Sequence, residues 1–247
     1  MLASLQLRSY APTCIMIIKA VFFDAAGTLM KPNRSVGESY ARFAATSGIK
    51  VSPCDLSERF RVCFGEAPRL AFPGASDESI TGLEREWWKN LVAQVFEPWG
   101  PFENFDRFFA DLFDYFAEPG AWSLYPEVPE TLAALERRGL RLSVISNFDS
   151  RLIKILHGLG VGSCFDQIFV SSRIGYAKPE PQIFHAALKH HNLLPAHGLH
   201  VGDSEINDRH GAMSAGLRGV LVDRRNPVDP RDRDRITSLE AILDIVE

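Results

Sequence analysis

Two hydrophobic rhythms run along the chain, and the boundaries between them divide it. Val21-Phe22-Phe23 is a short, unbroken apolar run, which suits a strand buried on both faces, as in a parallel sheet covered by helices. Similar runs recur at 142–145, 168–170, 199–201 and 220–222, separated by helical patterns over 128–138, 151–159, 181–190 and 206–215. Strand and helix alternating in this way predict an α/β, doubly wound parallel sheet, in which ligands gather at the carboxyl ends of the strands. From 31 to 120 the apolar spacing is instead three and four, and it predicts helices over 36–47, 56–70, 78–96 and 102–116. This segment reads as a smaller all-helical domain inserted into the first, which leaves 16–30 and 121–247 as the core. The breaker clusters Lys31-Pro32-Asn33 and Glu118-Pro119-Gly120 mark the crossings and suit two hinges. Aromatic residues crowd the insertion, Trp87, Trp88, Trp99, Phe105, Phe108, Phe109, Phe113 and Phe116 among them. They serve either the core of a small bundle or an apolar substrate pocket.

Composition narrows the class. With 247 residues, 46% of them hydrophobic, the chain is long enough for a sizeable core, which excludes disordered and fibrous classes. The net charge of −4 offers no general electrostatic attraction for nucleic acid or anionic lipid. Cys14, Cys54, Cys63 and Cys164 are scattered and form no C-x-x-C pair, so a reduced, cytoplasmic setting is expected. No apolar stretch approaches the ~18 residues that a membrane span needs. Residues 1–15 carry a single charge, Arg8, and lack the layout of a signal peptide. Met16 stands directly before the first strand pattern, so 1–15 is expected to be a dispensable extension, with an ordered arm as the alternative. The mixed-sign stretch 223–235 is expected to be a solvated loop, because its acids offset its arginines. A monomer or homodimer is expected.

Chemistry gathers at the predicted strand ends. Asp24 follows the first strand directly, and Ala25-Ala26-Gly27-Thr28 turns the chain. A carboxylate there is costly unless a cation or hydrogen bonds neutralise it. Ile145-Ser146-Asn147 ends a second strand with a hydroxyl and an amide, and Ala177-Lys178-Pro179 sets a lysine before a helix. Val201-Gly202-Asp203-Ser204, followed by Asn207-Asp208, ends another strand with two acids five residues apart. An acid, a hydroxyl, a lysine and an acid pair, each at a strand end or in the loop after it, form a site for phosphate and Mg²⁺.

These motifs, taken in order, resemble the haloacid dehalogenase (HAD) superfamily of hydrolases, and the helical insertion looks like its C1 cap. The Phe22–Met30 segment with Ser35-Val36-Gly37-Glu38 looks like the subgroup of HAD-domain-containing and rhythmically expressed proteins. The resemblance implies a phosphorylated small-molecule substrate and Asp24 as the nucleophile, forming an aspartyl phosphate that water hydrolyses. It implies Mg²⁺ held by Asp24, the Ala26 carbonyl and Asp203, with Asp208 completing the shell directly or through water. Ser146 and the Asn147 amide would hold phosphoryl oxygens, Lys178 would offset the meeting anions, and Thr28 would lie at the substrate. Gly27 is assigned to the tight turn alone.

One position departs from the pattern. HAD phosphatases carry a second aspartate two residues after the nucleophile, as proton donor and later as base, and this chain has Ala26 there. General acid-base help is typically worth about 10²–10⁴ in rate, so a slow phosphatase is expected, or a substrate whose leaving group needs no proton. Asp149 and Glu205 are candidate stand-ins, and Arg34 and Glu38 are candidate cap contacts. Two alternatives stay open: a phosphate-binding pseudoenzyme, and a C–P hydrolase resembling phosphonoacetaldehyde hydrolase, which would draw a Schiff-base lysine from Lys31, Lys50 or Lys89. Metal-free dehalogenation is disfavoured by the acid kept at Asp203.

Overall fold

The computed structural model describes residues 17–100 and 103–246. The extension expected over 1–15, and Phe102 at the start of the predicted fourth cap helix, lie outside the described residues. β1 (Ala20–Phe23) is buried at all four positions, as an unbroken apolar run requires. The chain leaves it through β2 (Met30–Pro32) and enters α1 (Val36–Thr46), α2 (Pro53–Glu66), α3 (Asp77–Phe96) and α4 (Phe105–Tyr115). It returns through β3 (Trp122–Leu124) and continues as α5 (Val128–Arg137), β4 (Arg141–Ser146), α6 (Arg151–Gly158), β5 (Gln167–Val170), α7 (Ser171–Ile174) and α8 (Pro181–His191). Next come β6 (Gly198–Gly202), a π-helical turn (Glu205–His210), α9 (Gly211–Ser214), β7 (Arg218–Val222), β8 (Arg235–Ile236) and α10 (Ile242–Ile245).

The sheet is parallel, in the order β5-β4-β1-β6-β7-β8. After β5 the chain crosses to the far side of β1, and the reversal opens a crevice at the carboxyl ends of β4, β1 and β6. Val21 and Phe23 face α5 and α6, and Ala20 and Phe22 face α8 and α9, so β1 is clothed on both sides.

Two short strands not predicted from sequence, β2 and β3, pair antiparallel as a ribbon at the two crossings. Three residues each is too little for periodicity to register. Asn33 ties the crossings together, its Nδ2 donating to the carbonyls of Gly120 (2.8 Å) and Trp122 (3.1 Å). The helix predicted over 206–215 is instead a π-helical turn and a short α-helix: Arg209 N–H reaches back five residues to the Ser204 carbonyl (3.2 Å). The predicted solvated loop 223–235 is more ordered than expected. Ion pairs Arg235–Asp223, Arg209–Asp232 and Arg218–Asp234 brace it, and Arg235–Ile236 adds the edge strand.

The helical insertion has its own core of Tyr40, Leu56, Leu91, Val95, Phe96, Phe108 and neighbouring residues. Polar contacts dock it on the sheet domain. Glu84 of α3, buried, accepts hydrogen bonds at Oε1 from the Ser150 amide (3.0 Å) and the hydroxyls of Ser150 (2.8 Å) and Ser172 (2.6 Å). Trp88 Nε1 donates to Asp149 (2.6 Å), and Arg69 pairs with Glu180 (2.6 Å).

Candidate active site

A cavity of about 550 Å³ opens at the crevice, walled by Asp24, Ser146, Asn147, Lys178, Asp203 and Asp208 of the core and by Phe64, Arg69 and Trp87 of the insertion. The sheet order explains the convergence: Asp24, Ser146 and Asp203 leave three adjacent strands at their carboxyl ends.

Asp24 Oδ1 accepts from Ser146 Oγ (3.0 Å) and from Lys178 Nζ (2.8 Å). Lys178 Nζ also donates to Asp208 Oδ1 (2.5 Å), which accepts in addition from His200 Nε2 (2.9 Å). Asp208 Oδ2 takes the Ser204 amide (2.9 Å), so both of its oxygens are engaged. Burial raises the Asp24 carboxyl above its ordinary value, with the Lys178 charge opposing the shift and the Asp208 charge adding to it. Against its own burial, Asp208 is held well below the usual carboxylate range by Lys178 and by the hydrogen bond from His200. Burial works against the Lys178 ammonium, but Asp208 and Asp24 more than offset it and raise its pKa. His200 is lowered, by burial first; its Nε2 donates to Asp208, and its Nδ1 has no partner among the described residues.

Asp203 faces the opening. The protein crowded around it, and then the charges of Asp24 and Asp208, push its carboxyl up to about 7. Two glycines make this clustering sterically feasible. A Cβ on Gly27 (φ +95°) would lie 2.1 Å from Asp203 Oδ2, and one on Gly202 would lie 2.1 Å from Asp208 Cγ. Gly27 therefore does more than turn the chain, since its bare backbone is the seat of the Asp203 carboxylate.

Carboxylate oxygens of Asp24, Asp203 and Asp208 come within 4.8 Å of one another. Three acids against one lysine leave negative charge uncompensated, and an oxygen-only donor set suits a hard divalent cation. The residues present therefore fit Mg²⁺. Asp208 already accepts three hydrogen bonds, so a direct ligand role would fall first to Asp24 and Asp203, while the Ala26 carbonyl has no hydrogen bond among the described residues.

Other predicted residues fall differently. The Asn147 side chain accepts from the Lys178 amide (2.7 Å) and donates to its carbonyl (2.8 Å), so it positions the lysine loop, a role beside the one expected of its backbone amide. Thr28 stands apart from the cavity: it is fully buried, its hydroxyl has no partner among the described residues, and its carbonyl accepts from Arg224 (2.9 Å). Asp149 cannot stand in for the missing acid, because Trp88 and a bidentate Arg151 hold its fully buried carboxylate. Glu205 pairs with Arg209 and His210 outside the cavity walls. Glu38 closes a capping box with Ser35 at the start of α1, and Arg34 is exposed. Lys89 pairs with Asp106 (2.8 Å), and Lys31 lies over the Tyr125 ring; neither they nor Lys50 line the cavity, so the Schiff-base reading lacks its lysine.

His200 and Glu84 escaped the sequence reading. The one available signal for His200 was a polar residue inside an otherwise apolar strand two positions before Gly202, where a buried ring needs a partner.

Comparison with known proteins places the chain among hydrolases. The chain is 35% identical over 222 residues to a mouse protein named haloacid dehalogenase-like hydrolase domain-containing protein 3, covering 89% of this chain and 87% of that one. It is 30% identical to a phosphoserine phosphatase of Thermus thermophilus, over 86% and 92% of the two chains. The fold superposes on the Bacillus subtilis HAD-hydrolase YfnB, solved bound to magnesium, with a TM-score of 0.73 at 18% identity, over 93% and 99% of the chains. Residues 18–216 match the family described as haloacid dehalogenase-like hydrolase, and the chain belongs to that hydrolase family.

Proposed function

We propose that this hydrolase is a Mg²⁺-dependent phosphatase that acts through an aspartyl phosphate on Asp24 and is specialised for leaving groups that need no proton. The observation that carries the reading is the Asp24 carboxylate at the end of a buried strand, held by Ser146 and Lys178 beside two further acids. The phosphatase relative and the magnesium named for the structural neighbour support it.

Asp24 and Asp203, with the Ala26 carbonyl, would hold the metal, and Asp208 would anchor Lys178. When bound, Mg²⁺ supplies positive charge to the phosphoryl oxygens as they approach the acids. A carboxylate oxygen of Asp24 attacks phosphorus, the bond to the leaving oxygen breaks, and that oxygen departs with the electron pair. Lys178 moderates the repulsion between Asp24 and the incoming anion, and Ser146 donates to a phosphoryl oxygen. Water then attacks the aspartyl phosphate, which releases inorganic phosphate and restores Asp24. With Ala26 where a proton donor would stand, an acyl phosphate or aryl phosphate, whose leaving oxygen is weakly basic, is the favoured substrate class.

Steady-state assays of acetyl phosphate and phenyl phosphate with and without Mg²⁺ test this. Turnover that needs the metal and disappears in Asp24→Asn is expected. A folded, metal-loaded protein inert toward both would point instead to a phosphate-binding pseudoenzyme.

A further inference from the structure

Behind the catalytic cavity lies a second cavity of about 230 Å³ between the helical insertion and the sheet domain. The two share a wall of four residues, Ala26, Phe64, Asn147 and Phe148. Phenylalanine, tryptophan and aliphatic side chains make up most of the remaining lining. The charged group that reaches it, Arg151, is already neutralised: Nε and Nη2 are bound by Asp149 (2.9 and 2.7 Å), Nη1 donates to the Phe113 carbonyl (3.1 Å), and the guanidinium lies 3.8 Å over the Phe113 ring. The Asn147 amide is occupied with the Lys178 backbone. The hydroxyl of Tyr40, a residue 2% exposed, has no hydrogen-bond partner among the described residues. A charged or strongly polar guest would lose its hydration there for few polar contacts in return.

Ala26 joins the two spaces. A carboxylate at this position would set a charge in the wall of an apolar chamber, at a desolvation cost, where the guanidinium in the lining, Arg151, is already paired with Asp149. Its methyl group instead keeps the wall between the phosphoryl position and the chamber apolar. The same residue that removes the proton donor thus makes the shared wall apolar, and both effects favour one kind of leaving group. Engineered protein cavities of about 150 Å³ with similar linings stay dry and bind benzene, so this volume suits a substituted ring or a branched alkyl group.

Resting on the hydrolase reading above, we infer that the chamber is the subsite for the leaving group, and that the substrate carries an uncharged, apolar, ring-sized group on its phosphate as an aryl or apolar acyl phosphate. Val92 of α3, 2% exposed, lines the chamber away from the shared wall, so Val92→Phe fills it. Val36→Phe, at a half-buried lining position on α1, is the second variant should the first fail to fold.

Two measurements on the full-length protein decide the matter. One is the ratio of kcat/KM for phenyl phosphate to that for acetyl phosphate, with Mg²⁺. The other is binding of toluene, followed by quenching of tryptophan fluorescence, since Trp88 and Trp122 line the chamber. Burying a phenyl ring sets the scale, so the ratio is expected to fall on the order of 10- to 100-fold in a filled variant. Toluene binding should be present in the wild type and lost in that variant. An unchanged ratio in a folded variant, with no toluene binding to the wild type while acetyl phosphate is still hydrolysed, overturns the subsite and leaves the phosphatase standing. Failure of both phosphates with metal-loaded wild type overturns the phosphatase, and the assignment of a leaving group falls with it, whatever toluene does.

Discussion

Replacing Lys178 by Met removes the ammonium and keeps most of the stem, which isolates what the charge contributes. The lysine side chain is 2% exposed and its Nζ lies 2.8 Å from Asp24 Oδ1 and 2.5 Å from Asp208 Oδ1. At an effective dielectric of about 20, each contact corresponds to roughly 6 kcal/mol of gross Coulomb attraction. Desolvation of the ammonium cancels several kcal/mol of that sum, and removing one member of a buried ion pair costs about 3–5 kcal/mol net. For a domain of this size each kcal/mol moves Tm by about 2–4 °C, so the metal-free variant should melt roughly 6–20 °C below the wild type. The pH dependence follows from which groups are stranded. Without Lys178, the Asp24 carboxyl, already raised by burial, loses the charge that opposes that shift, so the penalty is full at pH 8 and fades as acid protonates it. Mg²⁺ should recover more stability in Lys178→Met than in the wild type, because it then supplies the only strong positive charge at the acids. Adding Asp208→Asn should restore part of the loss. Calorimetry of the three proteins at pH 5 and 8, with and without Mg²⁺, reads all of this. A variant melting within about 1 °C of wild type at pH 8 without metal would refute the role of Lys178 as the counter-charge of this site.

Mg²⁺ should raise Tm more at pH 8 than at pH 6, because Asp203, with its carboxyl pushed up to about 7, must lose its proton to bind the ion; a Tm gain independent of pH by differential scanning fluorimetry would count against Asp203 as a ligand. In Gly27→Ala the new Cβ collides with the Asp203 carboxylate, so the Mg²⁺-dependent Tm gain should shrink severalfold in a protein that still folds, an effect a simple turn residue would not produce. Ala26→Asp should speed hydrolysis of alkyl phosphates by about 10²-fold or more while lowering the preference for phenyl phosphate; equal rates for the two proteins would show that proton donation does not limit the reaction. Glu84→Ala strands the polar groups of Ser150 and Ser172, at a cost of about 1–3 kcal/mol, and hydrogen exchange should quicken in α3 while β1 stays protected.

The main architecture was legible because its signals are redundant. Five apolar runs in the sequence became the five long strands of the sheet, since a parallel strand covered on both faces is apolar at most of its positions. The elements that escaped are those held by partners distant in sequence. β2 and β3 exist because each crossing meets the other, pinned by Asn33, and β8 exists because β7 offers an edge to pair with. The loop before β8 reads as solvated by charge balance alone, whereas in space its acids meet Arg209 and Arg218, which lie before it in the chain.

The site divides along the same line. Acids, hydroxyl and lysine at predicted strand ends were readable because strand ends converge in this architecture whatever the loops contain. What each carboxylate is free to do was not readable, because it depends on who arrives beside it. Asp149 and Asp208 are both buried acids just beyond strand ends, yet Arg151 and Trp88 lock the first away from the cavity, while Lys178 and His200 hold the second ionised at its edge. Glu84 shows the converse: a helix residue unremarkable in sequence becomes the buried acceptor for three donors of the other domain. Ala26 carries this furthest, for in sequence it is a missing carboxylate, whereas in the folded chain it is a shared wall of two cavities. A side chain there cannot be judged by the proton it fails to supply alone, because a charged replacement would also have to be solvated by the aromatic chamber behind it, whose lining is mostly apolar.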